Sequence, residues 1–223
     1  MKKLLLSIIA LFAGAMFIST SAQEELPVKG ASGKIQGRVV SFADYETSKM
    51  KIIGEHTSFS INSIEFGKNL MTNKFTITGP EGTAEVSTEE DRDRYTDIAN
   101  AAVMGIKAKN DYTFGCSIKD PAGNEWKFAL ATMPNKGDRE CAVIDGPVTI
   151  TIFGDNDTKP IAMSMKTNFH YTFRIGGNDV CTIRSVDKNQ TIILSENLTG
   201  NQRLVVAAAA AAILARVGVP LAK

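Results

Sequence analysis

Apolar and polar residues alternate along most of the chain, in short runs that end at turn-forming residues. Alternation with a period of two is typical of strands that bury one face. Four pairs of runs flank a turn sequence and are predicted to be hairpins: residues 75–78 with 84–86, 112–119 with 125–133, 148–153 with 161–165, and 171–175 with 180–184. Further runs at 34–42 and 50–54, read as a pair, and at 58–66 and 191–194 bring the prediction to roughly ten to twelve strands, which need closure or stacking to protect the sheet edges.

The C-terminal part shows a different pattern, because residues 204–215 are apolar all the way round and include six consecutive alanines. A helix on the surface keeps a polar face, so this one is predicted to be enclosed. At 1.5 Å per residue it is about 18 Å long, and its 12 residues fall short of the roughly 20 that cross a bilayer. Alanine also lets the surrounding backbone approach closely. We therefore expect a helix threaded through the β structure.

A second helix is predicted in the middle of the chain. Ser87 and Glu90 have the spacing of a capping box, and apolar residues follow at helical intervals from Tyr95 to Ile106. This amphipathic helix would lie on the outside of the fold or across one mouth. The charges of its polar face, at 91–94 and 97, are mixed in sign, which favours a solvated surface over a lid or a partner-binding helix.

The N-terminus has the pattern of an export signal. Lys2 and Lys3 precede an apolar run at 4–18, and the small residues Thr20 and Ala22 suit a signal peptidase. We expect cleavage after Ala22 and a periplasmic or secreted protein; an uncleaved anchor is the alternative. The predicted organisation is a signal peptide at 1–22, a flexible leader at 23–32 and one domain at 33–223. Loss of the two lysines takes the formal charge from +1 to −1, so no nucleic-acid partner is expected.

Three cysteines, Cys116, Cys141 and Cys181, alternate with apolar residues in strand patterns. Buried thiols are the favoured interpretation, because free cysteine packs as a small apolar side chain. One disulfide with one thiol left over is the alternative that an oxidising compartment allows. The spacings lack a paired C-x-x-C motif, so no zinc site is predicted.

Other candidate chemistry is sparse. His56 and His170 lie in separate strand regions without a visible partner constellation, and His170 is expected on the face opposite its aromatic neighbours. Residues 155–157 offer alternating oxygen ligands for calcium, but the glycine and the distant glutamate of a calcium loop are missing, so a turn is favoured. Trp126 alternates with apolar residues and is predicted to pack in the core.

The end of the chain carries a resemblance. A meander of hairpins with glycine-containing turns runs through 198–203 into the apolar helix, and this arrangement resembles the tubby-like barrel superfamily, chiefly its LURP-one-related and phospholipid scramblase branch. The resemblance is most specific at 169–214. It implies a mainly β fold: a closed antiparallel barrel of about twelve strands around a buried C-terminal helix, here with one amphipathic surface helix. No residue pair matches the phosphoinositide site of tubby domains, so the resemblance predicts a fold without an activity.

The leading functional interpretation is a non-catalytic exported domain that binds a lipid, small ligand or protein on the barrel exterior, or that has a structural role. A filled interior leaves no deep cavity for an active site. The alternative is a hydrolase-type enzyme with a site on loops near 135–139 and 155–159. No catalytic or metal residues are assigned and no cofactor is expected. Membrane association of 204–221 is a third interpretation, although Arg216, Gly218 and Pro220 make that segment a poor span.

Overall fold

A computed structural model describes residues 24–31, 36–55, 60–61, 64–65, 70–91, 113–133, 139–154, 169–186, 189–198 and 200–217. These residues form fifteen strands and one helix: β1 (Leu26–Pro27), β2 (Ser41–Phe42), β3 (Tyr45–Thr47), β4 (Lys51–Glu55), β5 (Ser60–Ile61), β6 (Ile64–Glu65), β7 (Leu70–Gly79), β8 (Gly82–Asp91), β9 (Thr113–Lys119), β10 (Glu125–Met133), β11 (Arg139–Ile144), β12 (Ile150–Gly154), β13 (Phe169–Ile175), β14 (Asn178–Val186), β15 (Asn189–Leu194) and α1 (Gly200–Val217). The protein is therefore mainly β.

Thirteen of the strands form one antiparallel sheet, in the order β1-β15-β14-β13-β12-β11-β10-β9-β8-β7-β3-β2, with β4 also paired to β7. Neighbours in the sheet are mostly neighbours in sequence, as the predicted meander requires. β5 and β6 form a separate two-stranded hairpin, so residues 58–66, predicted as one strand, contain a hairpin instead. The three-residue strand β3 was not predicted, because three residues are too few to show an alternation.

The two strands at the ends of this order, β1 and β2, are not paired with each other as strands, but one isolated bridge lies beside them. Beyond β1, Lys29 pairs with Ser41 of β2: the Lys29 amide donates to the Ser41 carbonyl at 2.8 Å and the Ser41 amide donates to the Lys29 carbonyl at 3.0 Å. β1 thus contacts β15 on one side, while the residue pair just beyond it contacts β2 on the other. Part of the segment predicted as a leader, residues 23–32, belongs to this arrangement.

The inner face of the sheet and α1 share one apolar core. Alternate residues are buried along strands such as β12, and the largest fully buried side chains include Trp126, Phe128 and Phe173. Every residue of α1 from Leu204 to Leu214 is 0% exposed, and the helix contacts β7, β8 and β9. The prediction of an enclosed apolar helix is confirmed.

The prediction for Ser87–Glu90 is wrong, since these residues continue β8 instead of starting a helix. Ser87, Thr88 and Glu89 pair with β7 on one side and with β9 on the other. Two ladders of backbone hydrogen bonds outweigh one local capping box, which is worth only about 1 kcal/mol. Glu89 and Glu90 are therefore strand residues and not the acidic start of a helix. The rest of the predicted helix, from 92 to 106, lies outside the described residues.

The predicted hairpins at 75–86, 112–133 and 171–184 are confirmed as β7–β8, β9–β10 and β13–β14. β12 is also a strand, but its predicted partner at 161–165 lies outside the described residues; in the structure β12 pairs with β11 and β13. The last predicted strand, at 191–194, is β15.

Candidate functional site

The polar side chains that the fold brings together lie chiefly at the two ends of α1. At the start of the helix, Asp120 occupies the turn between β9 and β10 and is only 4% exposed. Its carboxylate accepts hydrogen bonds from the Asn124 amide and side chain, both at 2.9 Å, from Trp126 Nε1 at 3.0 Å and from Asn201 Nδ2 at 3.3 Å. Asp120 thereby joins a hairpin turn, the core tryptophan and the first turn of α1.

The ionisation of Asp120 follows from these contacts. Burial alone would raise the pKa of this carboxyl, but the hydrogen bonds donated by Asn124 and Trp126 hold the pKa below its usual value. A carboxylate that accepts this many bonds is stabilised in its charged form. Its negative charge also lies near the positive end of the helix dipole. The group is therefore a fixed hydrogen-bond acceptor that positions α1.

A second cluster lies at the same end of the helix and contains Tyr45, Glu81 and Arg203. The Tyr45 hydroxyl donates to Glu81 Oε2 at 2.8 Å, and Arg203 Nε lies 3.8 Å from Glu81 Oε1. Arg203 Nη1 also donates to the Ser195 carbonyl at 3.2 Å. Burial, and then the Glu81 contact, raise the pKa of Tyr45 above its usual value. This cluster ties the β7–β8 turn to the helix, and the Tyr45 ring fills the space that a side chain at Gly79 would need.

Two arginines make contacts at the C-terminal end of the helix. Arg38, which is 6% exposed, donates from Nη1 to the Ala215 carbonyl at 3.1 Å. Burial lowers its pKa to about 10. Arg216 Nη1 donates to the Tyr171 hydroxyl at 3.4 Å, and its guanidinium stacks 5.6 Å from the centre of the Phe114 ring. Cations at a helix C-terminus complement the dipole and the carbonyls that lack an intrahelical partner.

A groove of about 510 Å³ opens on the outer side of the sheet between β3 and β7. It is lined by two carboxylates, by four hydroxyl residues and by the start of a turn: Asp44, Glu46, Thr47, Ser48, Thr76, Thr78, Gly79 and Pro80. Asp44 and Glu46 are exposed. Carboxylates accept hydrogen bonds and hydroxyls both donate and accept, so this groove suits a polar ligand that carries donors or positive charge.

The residues with nucleophilic or acid–base chemistry are placed apart from these clusters. Cys116, Cys141 and Cys181 are buried in β9, β11 and β14, as predicted, and burial raises the pKa of Cys116 and of Cys181. His170 is half-buried on β13, with the buried Tyr171 on the opposite face. Among the described residues, no three His, Cys, Asp or Glu side chains approach closely enough to hold a metal ion.

Several candidate positions lie outside the described residues: His56, 135–138 of the first candidate loop, and 155–159, which include the calcium-loop candidate. Trp126 packs in the core as predicted, at 2% exposure. Sequence reasoning missed its hydrogen bond to Asp120. That bond could have been predicted, because a buried indole N–H needs an acceptor.

In the part of the chain that the structure covers, no helix is both long and apolar enough to cross a bilayer.

No protein-family model, no curated protein and no solved structure matches the chain.

Proposed function

We propose that this chain is an exported, non-catalytic domain of the tubby-like barrel type, which binds a ligand or protein partner on its outer surface. The observation that carries this proposal is the complete burial of Leu204–Leu214, held at one end by Asp120 and Arg203 and at the other by Arg38. A helix that fills the interior and is tied at both ends occupies the space that a deep ligand cavity would need. Binding is therefore assigned to the outside.

Closure of the sheet into a barrel is part of the proposal. It is supported by the reciprocal hydrogen bonds of Lys29 and Ser41, which join the two ends of the strand order. The test is a Lys29→Cys/Ser41→Cys variant, since paired residues of neighbouring strands lie at disulfide distance. We expect this pair to form an intramolecular disulfide, read by mass, without loss of thermal stability. A pair that stays reduced under oxidising conditions, while the protein is folded, would contradict closure.

The outer groove lined by Asp44 and Glu46 is the proposed binding surface. Its oxygen-rich lining favours a ligand with amino groups or several hydroxyls. The first experiment is native mass spectrometry of the mature protein, purified from the envelope fraction of its own host. A retained ligand is expected to be lost from an Asp44→Asn/Glu46→Gln variant and kept by Asp145→Asn, a matched exposed control away from the groove. A ligand kept equally by both variants would show that it binds outside the groove.

The same spectrum tests export. Cleavage after Ala22 gives a mass that begins at Gln23, whereas an uncleaved anchor retains residues 1–22. The proposal expects the shorter mass. A chain recovered at full length from the membrane fraction would show that the domain is anchored and not released.

A further inference from the structure

The first described residues, 24–29, form an arm that makes few backbone hydrogen bonds to the rest of the sheet. Towards β15, Leu26 pairs with Ile192, Pro27 pairs with Thr191, and the Val28 amide donates to the Gln190 carbonyl at 2.8 Å. Towards β2, the backbone bonds found within the described residues are those of the Lys29–Ser41 pair. The arm therefore lies between β15 and β2, with a short ladder on the β15 side and one isolated bridge on the β2 side.

Pro27 explains why the ladder towards β2 is so short. In an antiparallel strand, successive residues direct their amides to opposite neighbours. Val28 bonds to β15, so positions 27 and 29 face β2, and proline has no amide hydrogen to donate. Position 27 therefore cannot donate a further backbone hydrogen bond towards β2 beside the Lys29–Ser41 pair. Proline within a sheet is typical of an edge strand, and Pro27 lies in β1, the end strand of the order, with the Lys29–Ser41 bridge just beyond it.

The side chains of the arm add only a moderate stabilisation to its attachment. Leu26 and Val28 are half-buried against the core. Arg184 Nη1 donates a hydrogen bond to Glu25 Oε1 at 2.8 Å and forms an ion pair with it, but the Glu25 and Arg184 side chains are 44% and 50% exposed. Exposed ion pairs are screened by water and contribute little to stability. Opening of the arm thus breaks far fewer contacts than unfolding of the sheet, which is the condition for a local opening.

We propose that the arm detaches from its own β15 and that the arm of a second copy takes its place, which gives a reciprocally exchanged dimer. The vacated edge has defined chemistry: the backbone acceptors of β15, the part of the apolar core that Leu26 and Val28 contact, and Arg184 of the neighbouring strand β14. The complementary occupant is an extended strand with an acidic residue followed by alternating apolar residues. Glu25, Leu26 and Val28 of another copy supply that pattern, and a two-fold exchange fills both gaps.

The proposal can be tested on the whole mature protein. Equal amounts of protein at natural isotope abundance and of ¹⁵N-labelled protein are mixed at rising concentration and examined by native mass spectrometry. We expect a dimer of mixed isotope content that grows with concentration. The locked variant is Pro27→Cys/Thr191→Cys, a pair adjacent to the hydrogen bond of Val28 and on the exposed side of the strand, where a disulfide fits. Oxidised at low concentration, as a monomer, the variant should give no dimer. The same variant kept reduced is its reference, because the substitution also restores a backbone amide at position 27, and it should give a dimer.

Two results would overturn the exchange: the absence of any dimer, or a dimer without an intermolecular disulfide that persists in the oxidised variant and so uses another surface. Hydrogen exchange gives a second measurement on the monomer. The amides of Val28 and Lys29 should exchange at least about tenfold faster than those in the middle of β13 and β14, and the oxidised lock should remove that difference. Equal protection would also overturn the proposal. Failure here leaves barrel closure intact, because closure is read from the Lys29→Cys/Ser41→Cys cross-link in the monomer.

Discussion

Asp120 is a buried carboxylate on which three parts of the fold depend, and we expect Asp120→Ala to lower the free energy of unfolding by about 3 kcal/mol. The change removes a charged acceptor and leaves the buried Trp126 N–H without its partner. Chemical denaturation measures the loss. Asp145→Ala, an exposed aspartate in the bridge beside β10, is the matched control and should change stability by less than about 0.5 kcal/mol. Equal effects of the two variants would remove Asp120 from its proposed role.

The same carboxylate predicts an acid dependence. Its pKa in the folded state lies below the unfolded value, so the stabilisation is fully present above the unfolded pKa of about 4 and is lost as pH falls through the folded pKa. Denaturation midpoints at a series of pH values should therefore fall less steeply in Asp120→Asn than in the wild type on the acid side. Parallel curves would mean that this group does not carry the acid sensitivity.

The three thiols predict a reactivity pattern. Cys116, Cys141 and Cys181 are buried, and burial favours the neutral form of Cys116 and Cys181, whereas the thiolate is the form that reacts. A thiol reagent should label none of them in the native protein and all three after unfolding. Val143→Cys, at a 46% exposed position of β11, should react at once and serves as the control. Fewer than three labelled thiols in the unfolded wild type would indicate a disulfide.

At the scale of elements, the sequence predicts what depends on local pattern. Period-two alternation around turn residues identifies the hairpins β7–β8, β9–β10 and β13–β14, and an all-apolar run identifies α1. The failures arise where tertiary contacts prevail. Residues 87–90 carry a capping box but are paired on both sides, and the turn at Asp120 shows no sign that Asn201 will contact it. The groove is likewise formed by strands that meet only in the folded sheet.

The burial of α1 leads to a prediction about its alanines. Ala209 and Ala210 are 0% exposed, so Ala209→Leu or Ala210→Leu adds volume inside the core. We expect a loss of about 1–3 kcal/mol in the free energy of unfolding, because the strands around the helix must shift. Thermal or denaturant unfolding gives the value. Gln202→Leu, at a half-buried position in the first turn of α1, is the control and should change stability much less. An unchanged midpoint in the alanine variants would mean that the helix is not enclosed.

At the scale of the whole molecule, the sheet and the helix depend on each other. The inner side chains of the strands have α1 as part of their core, and α1 has no polar face of its own. A chain that ends at Arg203 should therefore expose a large apolar surface and be recovered as an insoluble product. The full-length chain prepared in parallel is the control, and solubility and circular dichroism are the readouts. A soluble truncated chain with native β content would show that the sheet has a core without its helix. The helix would then no longer be a reason to place the binding site on the exterior.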